Sequence, residues 1–134
     1  MAKYFKLSEF TYSDTAKRKG INNTPNDAII NNLNTLMEQL DKIREKYGKP
    51  IYINSGYRCP MLNAAVKGVR TSQHQLGCAA DITTRNIEED KKLYKLIVDN
   101  FDFDQCIWEN VGSSVWIHYS YVRPNRKLKF TIKG

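Results

Sequence analysis

The sequence predicts one α+β domain, because helical and strand-like patterns fall in separate blocks along a chain of 134 residues. Three observations carry that expectation. A long helical repeat fills residues 25–47, and period-two runs fill the last third of the chain. Hydrophobic residues make up 41% of the total, yet no apolar run approaches the roughly 18 residues of a membrane span.

Taken in order, residues 1–22 mix Ser, Thr, Tyr and Lys and predict an irregular wrap around the domain. Thr24 is placed to cap a helix, Pro25 suits its first turn, and Asp27 adds favourable charge there. Ile29, Leu33, Leu36, Leu40, Ile43 and Tyr47 then recur every three or four positions until Gly48 and Pro50 stop the helix. Ile51 to Asn54 reads as a short strand, closed by a Ser55-Gly56 turn. Pro60 opens a brief helix through Val66, ended by Gly68, and Cys78 to Thr83 reads as another strand. Residues 88–100 form an amphipathic helix with Leu93, Leu96 and Ile97 inward. Gln105 to Glu109, Val115 to Val122 and Lys127 to Ile132 alternate as strands of an antiparallel meander. The expected architecture is therefore a small antiparallel sheet flanked by helices, in a single domain over 1–134.

A net charge of +7 favours an anionic partner, with nucleic acid and the bacterial cell wall as candidates. The basic residues are dispersed and form no patch interleaved with aromatics, so nucleic acid ranks last. The basic start lacks an apolar stretch of signal-peptide length, which predicts synthesis in the cytoplasm and export by another route. Three cysteines without CxxC spacing predict no disulfide framework, and Cys78 and Cys106 are expected as buried small hydrophobes.

The chemistry gathers around the chain's two histidines. His74 lies in Ser72-Gln73-His74-Gln75-Leu76-Gly77-Cys78-Ala79-Ala80-Asp81, and His118 in Val115-Trp116-Ile117-His118-Tyr119-Ser120. Imidazole is the commonest protein metal ligand, and a catalytic zinc site takes three such ligands and keeps a fourth position open. His74, Asp81 and His118 would make that set. On spacing alone, a histidine held structurally by hydrogen bonds is the competing reading. On a strand, His118 shares its face with Trp116 and Ser120, while Ile117 and Tyr119 point the other way.

These residues resemble those of the zinc D-Ala-D-Ala carboxypeptidase and L-alanyl-D-glutamate endopeptidase family of peptidoglycan peptidases. The family signature S-x-H-x-x-G-x-A-x-D is matched at Ser72, His74, Gly77, Ala79 and Asp81, and its later W-x-H at Trp116 and His118. Ser55-Gly56-Tyr57-Arg58, Leu7-Ser8-Glu9-Phe10 and Asn23-Thr24-Pro25 extend the similarity over nearly the whole chain. The resemblance implies a hedgehog/D-Ala-D-Ala-peptidase-like fold, zinc held by His74, Asp81 and His118, and hydrolysis of stem peptides. It also implies that Arg58 binds a substrate carboxyl or the carbonyl under attack. Ser72 then either contacts substrate, orients His74 or caps its loop; Trp116 and Gln105 are expected along the substrate cleft.

The family also implies a general base, often three residues before the last ligand, where this chain has Val115. Glu109 is the candidate instead, with the loop from Asn110 to Ser114 absorbing the difference; Asp102 and Asp104 are weaker choices. Glu109 shares a face with His118 if it pairs with Ser114 or Trp116, but not with Val115. A compact basic chain of this kind resembles phage-type endolysins, and a monomer acting at the cell wall is expected. A zinc-containing wall-binding module without turnover is the alternative.

Overall fold

The computed structural model describes residues 2–133; Met1 and Gly134, the outermost residues of the expected domain, lie outside that description. Its longest element is a helix from Asp27 to Tyr47, which buries Leu33, Leu36, Met37, Leu40 and Ile43 along one stripe. Asn26 rather than Thr24 caps it, accepting the Ile29 N–H at 2.9 Å, so Pro25 precedes the cap. Asparagine is the stronger N-cap of the two. Gly48 ends the helix in the left-handed region, as its position suggests.

The first residues are more regular than their composition suggests. They form α1 (Leu7–Thr11) and α2 (Asp14–Lys19), which makes the 27–47 helix α3. Both are too short to show an apolar period, and local caps hold them: Glu9 accepts from the Lys6 N–H, and Ser13 from the Ala16 N–H. The next elements lie within a few residues of expectation, β1 (Tyr52–Ser55), α4 (Pro60–Ala65), β2 (Ala79–Thr83) and α5 (Ile87–Asn100), while the segment around His74 adds a 3-10 turn (Gln73–Leu76). Strands β3 (Gln105–Val111), β4 (Ser114–Ser120) and β5 (Leu128–Lys133) complete the chain. Among the described residues, no helix is long and apolar enough to cross a membrane.

The sheet is mixed, with strand order β1-β2-β4-β3-β5, and this corrects the expected meander. A meander would place β5 on the free side of β4. That side is already occupied by β2, which pairs antiparallel with β4 through Asp81 opposite His118. β5 therefore lies on the far edge of β3 and runs parallel to it, Leu128 beside Gln105. Alternation reveals a strand but not its neighbour or its direction.

Register divides the sheet into two surfaces. Ala80, Ile82, Cys106, Ile117 and Tyr119 face α3 and α5 and join Leu33, Leu36, Leu40, Leu93 and Ile97 in the core. The opposite surface carries the row Ser55, Asp81, His118, Ile107, Phe130, with Trp116, Glu109 and Ile132 in the next. Cys106 is buried as expected, whereas Cys78, at the mouth of β2, is only partly covered.

Asp104 fastens three segments. Fully buried, it accepts from the Arg126 backbone and guanidinium at 3.0, 2.9 and 2.6 Å and from the Gln73 amide at 2.8 Å. Its backbone carbonyl receives the Leu128 N–H, starting β5. The Arg126 guanidinium, with help from Gln73, holds its carboxyl at about 2 against an ordinary 3.8. A depressed acid stabilises the fold fully above its unfolded value, and that contribution fades as pH falls through the folded one. Asp104→Asn is expected to cost on the order of 2 kcal/mol at pH 7, roughly a 7 °C drop in thermal midpoint. The variant should also lose the part of the acid sensitivity that the native protein shows between about pH 4 and pH 2.

Candidate metal centre

The sheet surface away from the helices floors a cleft of about 800 Å³, of the size that takes a drug-sized ligand or short peptide. His74 reaches it from the 3-10 turn, Asp81 from the middle of β2 and His118 from β4. Their ligand atoms all lie within 4.8 Å of one another. The Ser72 hydroxyl accepts the His74 N–H at 3.2 Å, so of the roles open to Ser72 the structure shows the turn cap. Gly77 closes the turn at φ +74°, where a Cβ would also press on the Ile29 carbonyl at 2.9 Å. Asn32 of α3 holds the Leu76 carbonyl, tying the turn to the helical layer.

Each imidazole is oriented through the nitrogen that faces away from the cluster. His74 Nδ1 lies 2.7 Å from the Gly56 carbonyl, which can only accept, so that nitrogen carries the proton. Gly56 packs so closely on Phe10 that a Cβ there would lie 2.7 Å from the Phe10 Cα. His118 Nε2 donates to the Gln105 side-chain oxygen at 3.1 Å. The lone pairs of His74 Nε2 and His118 Nδ1 then both face Asp81 Oδ1, at 3.3 and 3.2 Å.

That arrangement tests the fit to a metal. Buried His74 Nε2 has no hydrogen-bond partner among the described residues, and electron pairs crowded on one carboxylate oxygen repel unless a proton or a metal cation lies between them. Atoms about 2.0–2.1 Å from a shared tetrahedral centre are roughly 3.3 Å apart. The residues fit a dication of the zinc type. Burial opposes the charge on Asp81, but in protein without an ion the two imidazoles, when protonated, outweigh it and hold the carboxyl below its ordinary range.

Glu109 pairs with Trp116, one of the two registers that put it on the His118 face. The strands run through Val111 and resume at Ser114, so the hairpin turn is Gly112-Ser113 alone and the expected Asn110–Ser114 loop is mostly strand. Trp116 Nε1–H donates to one Glu109 oxygen at 3.0 Å. Burial, then the nearby Asp81 charge, pushes the Glu109 carboxyl above its ordinary value, and His118 only partly offsets them. Asp104 is committed to Arg126 and Gln73, and exposed Asp102 lies outside the cleft beside Tyr121 and Arg123, so neither weaker candidate is placed to act as base.

Arg58 forms one wall. Its backbone N–H donates to the His74 carbonyl, and its guanidinium is fixed by Ser55 at 3.3 Å and Asn63 at 3.2 Å. A further nitrogen lies 3.7 Å from Asp81 Oδ2. Sequence reasoning missed Asn63, the Gly56 carbonyl and the β5 side chains Phe130 and Ile132 that line the cleft. The first two act through contacts that no spacing rule encodes. Gln105 lines the cleft as expected, but it also orients His118. Gln105→Leu is therefore expected to weaken metal binding by about 10–100-fold, read by competition with a chelating dye, with little change in thermal midpoint of the metal-free protein.

A family model described as Peptidase M15 matches residues 3–120, ending with the last residue of β4. No curated protein matches the chain.

Proposed function

The chain belongs to the peptidase M15 family, and from that premise we propose that it is a zinc peptidase hydrolysing peptide bonds in the stem peptides of bacterial peptidoglycan. The observation that carries the reading is the convergence of two imidazole lone pairs and a carboxylate beside a second, half-buried carboxylate, all at the floor of one cleft. His74, Asp81 and His118 would hold the ion. When bound, zinc lowers the pKa of a coordinated water from about 15.7 to about 7 and polarises a carbonyl.

The chain's own residues supply the rest. Glu109 accepts the proton of the attacking water and passes it to the departing amine. Trp116 anchors one of its oxygens and leaves the other free to exchange the proton. A carboxyl raised toward neutrality suits both halves of that exchange. Arg58, held rigid by Ser55 and Asn63, offers a planar donor fork to a substrate carboxylate or to the carbonyl under attack. The basic surface favours residence on an anionic wall polymer, which is where we place the protein's action. A binding module without turnover would have no use for a half-buried carboxylate on the ligand face.

Digestion of purified peptidoglycan by the zinc-loaded protein, with fragments identified by mass spectrometry, tests the proposal. New peptide ends that vanish with chelator are expected. Intact peptidoglycan after prolonged digestion would overturn it, and the position of the new ends separates carboxypeptidase from endopeptidase.

A further inference from the structure

Strand β5 lies beyond the family match, yet it builds part of the cleft. Its sequence alternates without a break: Leu128, Phe130 and Ile132 interleave with Lys129, Thr131 and Lys133. Register sets the apolar members beside Gln105, Ile107 and Glu109, on the sheet face that carries the metal-site residues. They are 38%, 45% and 40% exposed, an apolar strip left open to solvent on an edge strand. The lysines lie on the other face. An edge strand whose apolar residues turn from the helical core, Phe130 and Ile132 into a cleft, is not spending them on folding.

Position says what the strip meets. Phe130 shares a row with Ile107, His118 and Asp81, two strand spacings from His118. At about 4.8 Å per spacing, that is roughly 10 Å from the ligand cluster. An extended peptide advances about 3.3 Å per residue, so one lying along this row meets Phe130 about three residues from a bond held at the cluster. The cleft is continuous between the two points, since Ile107, Glu109, Phe130 and Ile132 line the same cavity as the histidines.

We propose that Phe130 and Ile132, with Leu128 beside them, form an apolar subsite that takes an aliphatic side-chain stem of the substrate about three residues from the bond cut. The strip is a specificity determinant that favours peptides long enough to span the cleft over dipeptides held at the metal end alone. This rests on the peptidase reading of the cleft. Asp104 secures the subsite, because the residue that starts β5 also holds Gln73 next to His74.

The test compares a synthetic stem pentapeptide with the dipeptides from its two ends, on zinc-loaded native protein, Phe130→Ser, Ile132→Ser and the conservative Phe130→Leu. Where the pentapeptide is turned over, kcat/KM is the readout; where it is not, the dissociation constant by calorimetry is. Each serine variant is expected to weaken the pentapeptide readout about tenfold and to leave the dipeptides within about twofold. Phe130→Leu should retain most of the native value, and thermal midpoints should stay within a few degrees. Absence of turnover combined with Phe130-sensitive, length-dependent binding would sink the peptidase reading and leave the subsite standing. The subsite is overturned by equal losses on long and short peptides, by no loss, or by no pentapeptide binding. A dimer in sedimentation that Phe130→Ser dissociates would also overturn it, by assigning the strip to a second copy of the chain.

Discussion

His118→Ala is expected to remove stoichiometric zinc and hydrolysis together. The remaining His74 and Asp81 give two ligands where a catalytic zinc site takes three. Without the ion, the attacking water keeps its own pKa, about 15.7 rather than about 7, and the rate should fall by roughly four orders of magnitude or more. The fold should hardly notice. His118 faces the cleft, and in metal-free protein its removal also relieves the crowding of lone pairs on Asp81 Oδ1. The thermal midpoint in chelator should therefore stay within a few degrees of the native value. Elemental analysis showing one zinc per chain in the variant would remove His118 from the ligand set.

Glu109→Gln is expected to separate binding from turnover: zinc is retained, while kcat falls by about 10²–10⁴. The amide can still accept from Trp116 Nε1–H, so position is preserved and only proton exchange is lost. The sign of the pH effect follows from the raised carboxyl. A general base must be ionised, so activity falls as pH drops through its titration, which lies above the ordinary 4.5 in the metal-free protein, and the Gln variant should lack that acid limb. Added zinc favours the carboxylate and should pull the titration, read by NMR, back down. Stability runs the opposite way. A carboxyl raised by folding destabilises the native state above its folded value, so Glu109→Gln should match or exceed the native midpoint at pH 7. Full turnover with zinc retained would assign the base elsewhere.

The legible part of this molecule was set by local chemistry. Helix α3 declares itself through its stripe and Gly48, and the grouping of His74, Asp81 and His118 through a ten-residue motif and a W-x-H that resemble a known family's. Even the Glu109 question reduced to parity, because a strand's faces alternate and only two registers put Glu109 with His118; the pairing with Trp116 is one of them. What escaped depended on distant partners. The direction of β5 follows from β2 having taken the side of β4 that a meander needs, which no local pattern records. The Gly56 carbonyl orients His74 from 18 positions away, through a backbone atom that every residue type possesses. The caps of α1 and α2 were present in the sequence, but such short helices give periodicity too little to work on.

The two-faced sheet has a consequence for how this chain can change. Residues that pack the core point one way, and those that line the cleft point the other, so the strands act as a bulkhead between the two. Alterations at Phe130, Ile132 or Trp116 are screened by it from Ile82, Ile117 and Tyr119 behind. Substitutions along the open face are therefore expected to cost the fold little. Asp104 ties that open face together through Gln73 beside His74 and Arg126 ahead of β5, so substitution there is expected to cost the fold far more.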